Sequence, residues 1–344
     1  MEYSFTGKRI LITGGTGFIG SHLVARLAKM GNDVRVLVRA SSNTERISCL
    51  QNVTIIEGSI LDLNSLIKAS EGADIVYHLA AKLHLPLDTK NPDLFPVNVD
   101  GTENLLKASV KNGVSKFVFI SSTAVSFGIE DGSIIDESTP LKPAGLYGES
   151  KIQAGALVNE YSRKFGLNTT ILMPVVVYGY GEVGNVAKMI THVRNRKFYI
   201  IGKGETIRSL VYIDTVIEAM LCVTQSPNSN GETYILTDRD NRSILEMVRF
   251  ISTHFNTSIP KPFIPIPVAY IIGLSLELLG KCINKKVPLT RDIVKRLTTN
   301  QICSSQYIQD TLGFAPRTFQ EGMSDYLAKL KDDSGKTTAC QIKP

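Results

Sequence analysis

The chain is poor in the residues that build metal centres and disulfide frameworks. Its five cysteines, Cys49, Cys222, Cys282, Cys303 and Cys340, form no C-x-x-C pair. That spacing argues against a structural zinc site and for a reducing compartment. The five histidines, His22, His78, His84, His192 and His254, are equally scattered, so no metal is expected. The formal charge is +6, yet no basic tract is interleaved with aromatics, and nucleic acid is not an expected partner. There is no internal repeat. The first strand signal is reached by Arg9, too early to leave room for a secretory leader, and a cytoplasmic location is expected. The longest apolar stretch, 263–279, contains Pro265, Pro267 and Glu277, and is too short and interrupted to span a membrane.

What remains is an ordinary globular composition over 344 residues, with 43% apolar and 20% charged residues, enough for a large core. Apolar runs at Val34–Val38, Val53–Ile56, Ile75–Leu79, Phe117–Ile120 and Thr170–Val177 are separated by helical patterns at Leu63–Ala69, Gly101–Lys111 and Ser150–Phe165. Unbroken apolar strands between helices are covered on both faces. The pattern therefore predicts an α/β fold, a Rossmann-type doubly wound parallel sheet. The dinucleotide-binding domain is expected over 1–178, with 209–236 returning to it. Segments 179–208 and 237–330 form a smaller, mainly helical substrate-binding part, and 331–344 a disordered polar tail.

The apolar run Arg9–Ile12 leads into Thr13-Gly14-Gly15-Thr16-Gly17-Phe18-Ile19-Gly20, and a helical pattern continues to Gly31. Glycines at this spacing permit a tight turn, let backbone approach a pyrophosphate, and pack the helix against the strand. The helix N-terminus then offers N–H groups to the anion. Gly14, Gly17, Phe18, Ile19 and Gly20 are the expected cradle. The second strand ends at Arg39, whose positive charge suits a ribose 2′-phosphate, with Arg46 near in sequence to assist. This points to NADP(H), with NAD(H) still open.

The motif GGTGFIG resembles that of the extended short-chain dehydrogenase/reductase family, which includes nucleotide-sugar epimerases and dehydratases. The resemblance covers residues 8 to about 220. It implies an adenine wall at Ser59 and Ile60, although the family usually has an acidic residue where Ser59 stands. It implies small residues at Leu79-Ala80-Ala81 under the cofactor, and Asn98 holding backbone near a catalytic lysine. Ser121, Pro174 and Val175 are expected to border the nicotinamide, although Met173 replaces the family's arginine before Pro174. His78 reads as a packed strand residue, and Asp62 as the cap of the helix beginning near Leu63.

Thr123 closes the fifth strand, and Tyr147 and Lys151 follow on a helical stretch, four residues apart and so on one face. An ammonium beside a phenol lowers the phenol pKa toward the working range of a general acid/base, and Thr123 would hold the reacting oxygen. The same lysine can hydrogen-bond the nicotinamide ribose, so Tyr147 and Lys151 are also expected at the cofactor. Ser122 is a substitute for Thr123. A second Tyr-x-x-x-Lys, Tyr199 to Lys203, lies in a strand-like stretch and lacks the helix.

The resemblance implies hydride transfer at a secondary alcohol or ketone. The favoured substrate is a nucleotide-linked sugar, epimerised or reduced at C4, with Arg208 meeting the diphosphate. Features shared with 3β-hydroxysteroid dehydrogenases and dihydroflavonol reductases leave open a steroid-like or flavonoid-like alcohol. A non-catalytic NADP-sensing protein is the reading from a different class. Dehydration is disfavoured because Ala124-Val125 stand where dehydratases carry an Asp-Glu pair. Helices 101–111 and 150–165 resemble the family's dimer interface, so a homodimer is expected. The stretch 263–286 reads as a buried helix of the substrate part, with peripheral contact to an anionic membrane or a lid over a hydrophobic substrate left open.

Overall fold

The structure is a computed structural model, and it describes residues 5–82, 92–126, 128, 132–143, 145–259, 263–282, 287 and 289–333. The first half alternates as the apolar pattern requires: β1 (Arg9–Thr13), α1 (Phe18–Lys29), β2 (Asp33–Val38), β3 (Val53–Glu57), α2 (Leu63–Ala69), β4 (Ile75–His78), α3 (Gly101–Lys111) and β5 (Lys116–Ile120). A short β6 (Ile134–Ile135), the long α4 (Leu146–Phe165), β7 (Thr169–Pro174) and β8 (Val176–Tyr178) follow. The seven-stranded main sheet is parallel throughout, with order β3-β2-β1-β4-β5-β7 and, at its far edge, a later strand β11 (Thr233–Leu236).

Strands β4, β5 and β7 are buried along their whole lengths, as expected of strands covered by helices on both faces. Strand order reverses between β1 and β4, where open α/β sheets bind ligands at the carboxyl ends of their strands. The register aligns those ends, pairing Thr13 with Leu37 and with His78, His78 with Phe119, and Ile120 with Leu172.

Beyond β8 come α5 (Asn185–Arg194), β9 (Ile207–Arg208), β10 (Leu210–Tyr212), α6 (Ile213–Gln225), β11, β12 (Arg242–Ser243) and α7 (Ile244–His254). The chain closes with α8 (Ile266–Cys282), α9 (Arg291–Thr298), β13 (Ile302–Cys303), α10 (Gln306–Leu312) and α11 (Phe319–Asp333). Strand β11 joins the main sheet beside β7, whereas β10 pairs with β8 in a two-stranded sheet of its own.

Cys49 is disulfide-bonded, while Cys222 and Cys303 are free and buried. One expectation is corrected. Helix α8 is not a buried helix: Ile271 is 64% exposed, Leu279 56% and Leu278 55%. Its packed face is built instead from Ala269, Gly273 and Gly280. No helix among the described residues is long and apolar enough to cross a membrane. Residues 331–333 of the expected tail are the end of α11; the rest of it, together with His84, Lys285 and Lys286, lies outside the described residues.

Candidate active site

At the end of β1 the chain turns through Gly14, at φ +75°, where a Cβ would lie 2.6 Å from the Ala80 nitrogen. A Cβ on Gly20 would lie 2.2 Å from the Gly14 carbonyl oxygen, so α1 can sit flush on the turn only with glycine there. Gly17 stands at the N-cap in extended conformation; no side chain caps the helix and its first turn holds no acidic residue. The first-turn N–H groups are thus left without a capping side chain, as an anion-binding helix end requires. Gly14, Thr16 and Gly17 line a cleft of about 650 Å³, of the size that houses small ligands and cofactors.

Cleft and loop together fit a dinucleotide. Gly14, Gly17, Arg39, Ser59, Ile60, Leu79, Ala80 and Ala81 all line the cleft. Arg39 is exposed at the end of β2, and its backbone N–H donates to the Ser42 hydroxyl. The Arg46 guanidinium donates to the Gly181 carbonyl at 3.4 and 3.5 Å. The Ser59 hydroxyl oxygen accepts from the Leu61 N–H at 3.2 Å, and Asp62 caps α2 by accepting from the Asn64 N–H. Lys82, paired with Asp93 at 2.7 Å, also borders the cleft; no motif marks either residue in the sequence.

Asn98 is buried and clamps three groups. Its side chain accepts from the Lys82 N–H at 2.7 Å, donates to the Lys82 carbonyl, and donates to the Ser150 hydroxyl at 2.9 Å. Ser150 directly precedes Lys151, so Asn98 ties the cleft wall to α4. His78 is fully buried between the hydroxyls of Thr13 and Thr102, at 2.7 and 2.8 Å. Burial, aided by the charge of Lys151, pushes its pKa down to about 3, and it is a neutral packing residue at physiological pH.

Thr123, Tyr147 and Lys151 converge at the end of β5. Ser122 caps the single turn 123–125 by accepting from the Ala124 N–H, and Thr123 is buried with its hydroxyl 3.5 Å from the Pro174 carbonyl. Helix α4 packs its first turn directly on this one: a Cβ on Gly148 would lie 2.6 Å from the Ala124 carbonyl oxygen. Lys151 is buried, donates to the Ile120 carbonyl at 2.7 Å, and lies 4.3 Å from the centre of the Phe119 ring. Ser121 is held by its N–H to the Leu172 carbonyl, and Val175 by its N–H to the Leu236 carbonyl.

The electrostatics depart from expectation. Burial pushes the Tyr147 phenol up to about 12, against a lowering hydrogen bond with Ser122, and burial brings the Lys151 ammonium down to about 7. The ammonium is committed to the Ile120 carbonyl and the Phe119 ring, and desolvation dominates both groups.

Residues 10–236 match the NAD dependent epimerase/dehydratase family, well over half of the chain. The chain belongs to this family. It is 27% identical over 94% of its length, and 97% of the relative's, to an N-acetyl-alpha-D-glucosaminyl-diphospho-ditrans,octacis-undecaprenol 4-epimerase of Escherichia coli O157:H7. It is 28% identical over 94% of its length to a 3beta-hydroxysteroid-dehydrogenase/decarboxylase of Arabidopsis thaliana, covering 80% of that protein. It is 32% identical over 70% of its length to the dTDP-D-glucose 4,6-dehydratase of Mus musculus, covering 71% of that protein. As an extended short-chain dehydrogenase/reductase it is an NAD(P)-dependent enzyme, and the matched span ends where β11 completes the sheet.

In this epimerase/dehydratase-family enzyme, Thr123, Tyr147, Lys151 and Arg208 all lie outside the lining of the 650 Å³ cleft. The Arg208 guanidinium donates to the Gln301 side chain and the Arg296 carbonyl. Burial lowers its pKa to about 10, which leaves it charged at neutral pH. The second Tyr-x-x-x-Lys copy is not helical: Ile201 bridges Ile264, and Tyr199 is exposed.

Proposed function

We propose that the enzyme moves hydride at C4 of a sugar carried on a diphosphate, with a nucleotide the favoured carrier, as an epimerase or 4-ketoreductase. The observation that carries this reading is the convergence of Thr123, Tyr147 and Lys151 at the end of β5, beside a cleft shaped for a dinucleotide. The 4-epimerase relative, named for a sugar diphosphate on a polyprenol, supports the C4 chemistry and shares the sugar-diphosphate end.

Gly14, Gly17 and Arg39 would hold the dinucleotide, whose nicotinamide would supply hydride transfer and, when oxidised, a positive charge. In oxidation, the C4 hydrogen leaves as hydride and Tyr147 takes the hydroxyl proton, giving the ketone; in reduction Tyr147 gives the proton back. The high pKa of the phenol makes it the acid of ketone reduction from the outset. As the base of alcohol oxidation it needs positive charge nearby, which Lys151 and the oxidised cofactor supply. Thr123 holds the reacting oxygen, and Asn98 and Ser150 position Lys151. The steroid-like or flavonoid-like alternative draws on the dehydrogenase/decarboxylase relative.

Arg39 favours NADP(H), and helices α3 and α4 are the proposed homodimer interface by analogy with the family. Mass spectrometry of the nucleotide released on denaturation tests the reading. Tightly held oxidised cofactor at near-equal amounts means an epimerase, and freely exchanging NADP(H) a net reductase. Arg39→Ala is expected to weaken NADP(H) binding roughly 10- to 100-fold and leave NAD(H) unchanged. NAD(H) alone in the wild-type enzyme would overturn the role of Arg39.

A further inference from the structure

Helix α8 carries its side chains the wrong way round for a surface helix. An ordinary one buries large apolar residues and exposes polar ones. Here the packed positions are Ala269, Gly273 and Gly280, all buried. A Cβ on Gly273 would lie 3.1 Å from the backbone of Thr290 and Arg291, so the start of α9 closes on this small-residue face.

The opposite side is apolar and uncovered. Val268, Ile271, Ile272, Leu274, Leu278 and Leu279 are all exposed. At 3.6 residues per turn they fall within one arc of about 160°. The only polar residue in that arc is Ser275, whose hydroxyl is spent on the Ile271 carbonyl at 2.9 Å. Glu277, the one carboxylate of the helix, lies outside the arc, half-buried and bound to Arg291 at 3.0 Å. The apolar surface continues at the start of the helix: the Ile264 N–H donates to the Ile200 carbonyl and the Ile264 carbonyl accepts from the Gly202 N–H, next to Tyr199, and Phe263 is exposed beside them.

The charge next to this arc is positive. Between residues 281 and 296 the sequence holds six basic residues and one acidic residue. Of the described ones, Arg291, Lys295 and Arg296 are exposed on α9, next to α8, with Leu297 exposed beside them. A second copy packed face to face would set the same basic flank against this one. Anionic headgroups answer it directly, and an uncharged apolar arc bordered by Lys and Arg is the composition of a helix lying in a membrane interface.

We propose that α8 and α9 form a face that seats the enzyme peripherally on an anionic lipid bilayer, with the large side chains of α8 entering the acyl boundary. The helix lies flat, since at 17 residues it is only about 26 Å long. This proposal is independent of the substrate and of the roles given to Tyr147 and Lys151.

The test is co-sedimentation of the full chain with sucrose-loaded vesicles of phosphatidylcholine, alone or with roughly one third phosphatidylglycerol. The expected result is at least ~10-fold stronger partitioning onto the anionic vesicles, weakened by salt. The double variant Ile271→Glu/Leu278→Glu is expected to lose binding to vesicles while keeping its melting temperature and dinucleotide affinity, because both side chains are exposed. Arg296→Glu is expected to weaken binding to the anionic vesicles selectively. Wild-type protein that stays in the supernatant with both vesicle types overturns the proposal. So does a wild-type dimer that the double variant turns into a monomer with no vesicle binding, which would assign the face to a second copy.

Discussion

Lys151 is the residue on which stability and chemistry pull in opposite directions. A buried lysine whose pKa is pushed down to about 7 carries a desolvation cost whenever it is protonated. Because its folded-state pKa lies below the unfolded value near 10.4, its contribution to stability is present above about pH 10 and is lost as the pH falls through 7. Lys151→Met is therefore expected to melt a few degrees above wild type at pH 6, a gain on the order of 1–3 kcal/mol that fades toward pH 10. The same variant is expected to lose cofactor affinity and turnover. Thermal melts across pH check the first outcome, and a variant no more stable than wild type at pH 6 would contradict it.

Residue types in a motif were legible at this scale, and side-chain directions were not. His78 reads correctly as packing, because a lone histidine in a buried apolar strand has little else to do. Arg46 and Arg208 read as phosphate ligands from charge and position, yet backbone carbonyls and a glutamine claim their guanidiniums. Those acceptors come from residues 88 to 135 positions away in the chain, beyond any local pattern.

Among the elements, the glycine turn and α1 stand or fall together. A methyl on Gly20 meets the Gly14 carbonyl oxygen, and neither side of that contact is a flexible side chain. Gly20→Ala is expected to cost about 1–3 kcal/mol of stability and to weaken dinucleotide binding at least ~10-fold. Gly31 also has a positive φ, +78°, but open space around it, so Gly31→Asn is the control that keeps binding. Denaturant melts and calorimetric titration separate the two.

Helices α2 and α3 run where their periodicity places them, and α4 starts four residues before its expected Ser150, at Leu146, after the positive φ of Gly145. The pairings of two or three residues, such as β9 with β12 and β6 with β13, carry no alternation long enough to read. Helix α8 misled for another reason: a helix that is apolar all round has no preferred face until the small residues choose one.

Across the whole molecule, the last helix is joined to the sheet through a buried polar cluster. Asp238 accepts from the Tyr178 hydroxyl at 2.8 Å and from the Tyr212 N–H at 2.9 Å, and Tyr178 also reaches the Phe319 carbonyl at the start of α11. Burial pushes the Asp238 carboxyl up to about 7. A raised folded-state pKa means that this stability is fully present below about pH 4 and is lost as the pH rises through 7. Wild type is expected to lose melting temperature between about pH 4 and 7, and Asp238→Asn to flatten that fall. An unchanged slope in the variant would exclude Asp238 as its source. None of this cluster is legible in the sequence, since its members lie on β8, β10, α11 and the loop after β11. The parallel sheet was legible, because apolar runs alternating with helices admit few other topologies, whereas the strand order that sets its switch point was not.

The central claim is hydride transfer at C4 with Tyr147 as the acid/base. It is tested most directly with a nucleoside-diphosphate hexose deuterated at C4, by following the label after turnover. The expected result is deuterium on the reduced nicotinamide or returned to C4 of the epimer, with Tyr147→Phe at least ~100-fold slower and its dinucleotide affinity unchanged. Unlabelled cofactor and unchanged hexose with every sugar offered, or full activity in Tyr147→Phe, would contradict the account.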